Sequence, residues 1–194
     1  GAFIVFLMAL YRGMRWPETG LGFVPTSPNI PNLPAVLGYA MCGLGGQLGG
    51  WSHGVGTGLP FRFLEYAGRE PREVLAALQS LPLEGVAFRL ANSRDAAGRM
   101  RTGVYPLVTD WERFDPTALS FYMMELAARW EPANPFAAAD EDATRSFNIH
   151  TGSRAWWREL TTRGADARTA RFLKGWREAA GLFQRRSERY WIYR

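Results

Sequence analysis

Between Gly43 and Gly58 the chain carries glycine at 43, 45, 46, 49, 50, 54, 56 and 58. Half of that stretch therefore lacks a Cβ, which excludes both a helix and a strand interior, because glycine loses too much backbone freedom and packs nothing. The stretch must be a loop that turns sharply or lies close against another segment, a ligand or another chain. A close-packed structural loop and a ligand-lining loop both meet that description. Just upstream, Pro28, Pro31 and Pro34 fix their own φ and restrict their predecessors. A short helical piece fits Asn32 to Met41, with Asn32 as N-cap and Pro34 in the first turn.

The glycine loop is not a phosphate cradle by motif. A P-loop needs a lysine after its second glycine, and the one lysine of the chain is Lys174. The dinucleotide pattern G-x-G-x-x-G fails at Leu48 and at Leu59. No nucleotide or other cofactor is therefore expected.

The chain has 194 residues, 47% hydrophobic and 14% aromatic, enough for one packed domain spanning 1–194. Cys42 is the sole cysteine, so neither a disulfide framework nor a cysteine metal cluster can form within it. The two histidines, His53 and His150, are far apart and lack HExxH spacing, so no metal is expected. Charge is uneven. From Arg163 to Arg194 nine basic residues face three acidic ones, while the rest carries a net charge of −1. This reads as the solvated face of an amphipathic helix, and no nucleic-acid fold motif accompanies it. The apolar run Ala2–Leu10 is too short to span a bilayer and lacks the flanks of a signal peptide. It reads as a buried strand, with a membrane partner not expected and no targeting signal visible.

Along the rest of the chain, Tyr11 to Pro25 reads as a connection, and Phe61 to Tyr66 as a short extended or helical piece. Pro71 opens a helix that Pro82 stops, with Val74, Leu75, Leu78 and Leu81 at helical spacing. Gly85–Leu90 and Gly103–Val108 read as strands around a polar turn over Asn92–Arg101, with Pro106 implying an edge or a bulge. Asp115 caps a helix over Pro116–Trp130. Glu131–Ala143, with two prolines and three successive acids, reads as a surface loop, and His150–Ser153 as a turn. Ser153 caps a helix ending near Gly164, with Trp157 and Leu160 inward. A last helix is predicted over Asp166–Glu188, with Phe172, Leu173, Trp176, Ala180 and Phe183 as its buried stripe. Tyr190–Tyr193 has strand-like composition. Strands separated by helices imply a mixed α/β (α+β) domain.

Acid–base hydrolysis commonly uses a pair of carboxyl groups. Asp110, at the end of a predicted strand, is the candidate catalytic acid, against a turn-capping role. Glu65 and Glu18 read as solvated or salt-bridged. His53, between Ser52 and Gly54, could hydrogen-bond a sugar hydroxyl or move a proton. Trp51 and Trp16 lie in loops where an aromatic face could stack on a sugar ring, or pack the loop down. Cys42 reads as a small buried hydrophobe.

The segments TGLGFVPTSPNIPNLPAVLGYAMC (19–42) and SHGVGTGLPF (52–61) resemble the C-terminal domain of the NamZ-type exo-β-N-acetylmuramidases, a bacterial glycoside hydrolase family. GVAFR (85–89), TGVYPLVTDWERFDP (102–116) and HTGSRAWWREL (150–160) agree in order and spacing. The resemblance implies the smaller C-terminal domain of a two-domain enzyme. Its Rossmann-like N-terminal half, where the catalytic carboxylates are thought to lie, is not in this stretch. It implies an N-terminal catalytic half or another protein chain as partner, a peptidoglycan fragment as ligand, and a periplasmic or extracellular location. It also implies a substrate-binding set of Ser27, Asn29, Trp51, Ser52, His53, Gly54 and Thr57. Ser52, His53, Gly54, Thr57 and Asp110 are then expected close together. The family's glutamate in L-E-G-T falls on Gly45, and the glutamate and arginine of S-E-G-R-G-T fall on His53 and Val55. Besides a cleft domain, a structural or assembly subunit that lost its site and a carbohydrate-binding module fit these replacements.

Overall fold

The computed structural model describes residue 11 and residues 13–192. The strand expected over Ala2–Leu10 lies outside the described residues. Two compact units divide the chain, one spanning Pro25–Ala170 and the other formed by the segment up to Val24 with that from Arg171 onward.

Helix α3, Pro116–Trp130, is the centre of the larger unit. The Asp115 carboxylate accepts from the Ala118 N–H at 3.3 Å, Pro116 fills the first turn, and ten of its fifteen residues are buried. It is apolar on nearly every side and so must be covered on nearly every side. Helix α1, Leu33–Cys42, covers one side, with the Asn32 side chain accepting from Ala35 N–H at 3.0 Å. Helix α5, Arg154–Arg163, covers another, where Trp156 is fully buried and meets Phe121 edge-on. Trp156, rather than the predicted Trp157, is the inward tryptophan. Trp157 is half-buried against Phe147 and Phe136.

Two small antiparallel sheets carry the rest. Strand β1, Trp51–Ser52, pairs with β2, Glu65–Tyr66, in the register Trp51 to Tyr66 and Ser52 to Glu65. Strands β3, Val86–Arg94, and β4, Met100–Val108, form a long hairpin. Both run further than expected, because half of Asn92–Arg101 belongs to the strands. The turn is only Asp95–Arg99, where the Asp95 carboxylate accepts from Ala97 N–H and Arg99 N–H. Leu64 and Val104 exchange two backbone hydrogen bonds of 2.8 Å, which join the β2 segment to β4. Helix α2, Pro71–Gln79, packs across β3 and β4 with Val74 and Leu78 buried.

Three sequence expectations need correction. The acidic cluster read as loop opens a helix, α4, Glu141–Thr151. Asp140 caps it at 2.8 Å, and Glu141 and Asp142 sit in its first turn, where the helix dipole favours acids. His150 lies in its last turn, and Gly152, at φ 65°, ends it before Ser153 caps α5. The last helix, α6, is shorter than predicted, Thr169–Ser187, preceded by a 3-10 turn over Gly164–Asp166. Its buried stripe is also shorter. Leu173 is buried, but Ala180 is exposed and Phe183 is 71% exposed. Strand-like composition at the C-terminus gives a 3-10 turn over Glu188–Tyr190 instead, and Tyr193 lies outside the described residues.

Candidate functional site

The glycine loop is laid down on α3 and β2. A Cβ at Gly45 would stand 2.7 Å from Met123 Cβ, and the Gly45 N–H donates to Ser120 Oγ at 3.2 Å. No side chain fits at position 45, so a glutamate there would require α3 to move. Gly46 passes directly beneath the imidazole of His53, where a Cβ would lie 2.6 Å from His53 Cδ2. The loop is thus a close-packed support that presents β1 and the residues after it.

Trp51 belongs to this support. Its indole N–H donates to Met123 O at 2.8 Å, Tyr66 meets it edge-on at 5.1 Å, and Trp130 lies against it at 5.3 Å. It is 7% exposed, and its ring serves the core instead of offering a stacking face to solvent. Thr57 is likewise engaged. Its N–H and hydroxyl both donate to Gly54 O, at 3.0 and 2.8 Å, and its Oγ1 accepts from Leu59 N–H. Ser27 Oγ accepts from Asn29 N–H in a tight turn, with the Asn29 side chain exposed.

His53 and Ser52 are the loop residues with chemistry left to use. The His53 ring stacks on Phe61 at 4.7 Å and 24°. Its Nδ1 is buried with no hydrogen-bond partner, and burial lowers its pKa below the ordinary value near 6.5, so the ring is neutral at pH 7. Phe61 itself takes φ 59°, a region a bulky side chain enters only under constraint. The constraint is visible: its carbonyl accepts from the Cys42 thiol at 2.9 Å, and Tyr39 packs edge-on against its ring. Next to it, Arg62 is buried, donates twice to Pro106 O at 3.2 and 2.6 Å, and lies over the Tyr105 ring.

Ser52 faces a different space. With Glu65, Tyr66, Arg69, Arg101 and Thr102 it lines a cleft of about 290 Å³ between the two sheets and the start of α2. Glu65 is its principal acid. Burial raises the Glu65 pKa, and Arg101 opposes this, with Nε donating to Oε1 at 3.1 Å and Nη2 at 3.0 Å from Oε2. Tyr66 donates to Glu131 at 2.5 Å, and its phenol is pushed up to about 12 by burial and by that carboxylate. Arg69 sits over the Trp130 ring at 4.7 Å. The cross-strand pair of Ser52 with Glu65 creates this cleft, and no sequence motif announces it.

Asp110 is elsewhere. Its Oδ1 accepts from Glu112 N–H and Arg113 N–H, and its backbone N–H donates to Gly85 O, so it builds the turn after β4. Gly58 instead bonds to Ser93 Oγ and Arg94 O, at the far end of the same hairpin. Eight residue steps separate Val86 from Arg94, which puts the two ends about 25 Å apart. The expected gathering of Asp110 with Ser52, His53, Gly54 and Thr57 does not occur.

The family described as exo-β-N-acetylmuramidase NamZ, C-terminal, matches residues 37–193, which include the glycine loop, the cleft and both sheets. The chain belongs to this NamZ C-terminal family. The peptidoglycan β-N-acetylmuramidase NamZ of Bacillus subtilis is 34% identical over 110 residues, covering 54% of this chain and 26% of that protein. A solved DUF1343 family protein from Bacteroides fragilis shares the fold with a TM-score of 0.77 and 26% identity, over 95% of this chain and 49% of that one. The chain thus spans about half the length of the solved relative and about a quarter of NamZ from Bacillus subtilis. A mixed α/β NamZ C-terminal domain is what the elements above compose.

Proposed function

We propose that this domain forms one wall of the substrate cleft of an exo-β-N-acetylmuramidase-like protein acting on peptidoglycan fragments. On this reading hydrolysis requires an N-terminal catalytic half, and the protein works on the outer side of the cell membrane, in the periplasm or beyond. Family membership supports the substrate class, because the Bacillus subtilis relative is a peptidoglycan muramidase. One observation carries the dependence on another half. The acids around the cleft are engaged within the domain, Glu65 by Arg101 and Glu131 by Tyr66, so among the described residues no free carboxyl pair stands ready there to act as acid and nucleophile. Ser52 would meet the sugar from the cleft and His53 from the adjoining face, with Ser27, Asn29, Gly54 and Thr57 shaping the loops around it and Trp51 holding them from beneath.

The isolated chain should release no chromophore from a chromogenic N-acetylmuramide above a boiled control. Clear turnover would overturn the dependence on a second half and would point to Glu65 first.

A non-catalytic assembly subunit is the alternative, favoured by Gly45, where no side chain fits, and by His53 and Val55 at positions where the resemblance places charged residues. Supplying a NamZ-type N-terminal half in trans separates the two. Restored hydrolysis supports the cleft domain, and binding of that half without hydrolysis supports the assembly subunit.

A further inference from the structure

A second surface, away from the cleft, carries an unbalanced charge. Helices α4 and α5 meet at Gly152 and leave a groove of about 960 Å³ between them. Arg145, Arg154 and Arg158 line it, with Glu141 as the one acid on its wall. Among the described residues, none of the three arginines has an ion-pair partner. The acid next in sequence to Arg158 is not available to them. Glu159 is held by Arg168 at 2.8 Å and by Arg163 at 3.4 Å, and its pKa is drawn down to about 2. Three guanidinium groups thus face one groove with a local excess of two positive charges.

Two further side chains of the groove are not charged. Trp157 rests against Phe147 at 4.9 Å and Phe136 at 6.2 Å, and it also lines the groove. Asn148 donates through Nδ2 to Thr144 O at 2.9 Å, while its Oδ1 is buried and accepts nothing. The groove therefore offers forks for carboxylates and an indole for a ring face.

We propose that this groove binds a carboxylate-bearing glycan strand, and that it is a holding site separate from the cleft. A chain of N-acetylated sugars bearing lactyl or peptide carboxylates supplies both complements: anions for the arginines and a ring for Trp157. The choice of a glycan over another polyanion rests on the functional reading above. The groove's volume lies at the upper end of the roughly 300–1,000 Å³ usual for small-molecule sites.

The test is calorimetric titration of the full 194-residue chain with soluble peptidoglycan fragments, the same fragments with their carboxylates amidated, neutral chitooligosaccharides and inorganic polyphosphate. Fragments with free carboxylates should bind, with affinity falling as salt rises. Amidation should weaken binding about tenfold or more, and the R145Q/R154Q/R158Q variant should do the same. Its thermal midpoint should stay near that of the unmodified chain, because all three positions are exposed. Unchanged fragment binding by the triple variant would overturn the groove while leaving the functional reading in place. Arginine-dependent binding of polyphosphate with no binding of fragments would overturn both the glycan and the reading it rests on.

Discussion

His53 is where the chemistry of single residues can be tested most directly. Burial holds its folded-state pKa below the ordinary value near 6.5, so the unfolded chain takes up a proton first as pH falls. The stability this neutral ring contributes is complete above that value and is lost as pH drops through it. The melting temperature should fall between about pH 7.5 and pH 5.5, and His53→Gln should flatten that part of the curve. A variant with the same slope as the unmodified chain would assign the acid sensitivity to other groups. Cys42 makes a complementary case. It is fully buried, donates to Gly38 O at 3.1 Å and Phe61 O at 2.9 Å, and burial pushes its thiol pKa up. It should stay inert to a thiol-specific chromogenic disulfide until denaturant is added. Both residues were legible in the sequence, His53 as a loop group with polar potential and Cys42 as a small hydrophobe. Glu65 was legible only as a salt-bridged acid. Its place in a cleft depends on pairing with Ser52 and on Arg101, which lies 36 residues away. The face of Trp51 was not legible either, because composition cannot tell a tryptophan on a loop from one beneath it.

At the scale of elements, two glycines in helices have opposite surroundings. A Cβ at Gly38 in α1 would lie 2.3 Å from Phe61 O, whereas at Gly175 in α6 it would meet nothing within 4 Å. Alanine gains up to about 1 kcal/mol over glycine in a helix interior, and a forced backbone shift costs about 1–3 kcal/mol. Gly38→Ala should therefore destabilise by about 1–2 kcal/mol, and Gly175→Ala should stabilise by a few tenths to about 1 kcal/mol. Chemical denaturation of both variants checks the signs. Asp115→Ala should cost about 1 kcal/mol through loss of the cap on α3. Helices with a proline in the first turn, α1, α2 and α3, were legible from sequence because the stop and start signals are local. Helix α4 was not, since three successive acids in a proline-rich stretch read as solvent-facing loop. The hairpin was legible, but its length was not, because the pairing of polar residues such as Asn92 with Thr102 leaves no apolar alternation to follow.

For the whole molecule, we propose that residues 1–194 unfold as a single domain. Scanning calorimetry should then show one transition with equal calorimetric and van't Hoff enthalpies. Two resolved transitions would instead make the segments before Pro25 and after Ala170 an independent body. The carboxyl-terminal excess of positive charge was legible in the sequence. The arginines of the α4–α5 groove were not, since they belong to a different stretch and converge only through the fold.

The stacking of Phe61 on His53 limits what position 53 can hold. An aromatic face carries partial negative charge, and it suits a neutral imidazole far better than a carboxylate. Glutamate placed at 53 while Phe61 keeps its ring there would press an anion against a π cloud. Position 61 is held in turn by Tyr39 and by the thiol of Cys42. His53→Glu alone should therefore lower stability, and pairing it with a change at 61 should recover part of that loss. A double-mutant cycle on the two positions would show this as strong epistasis, with the pair more stable than the sum of its parts.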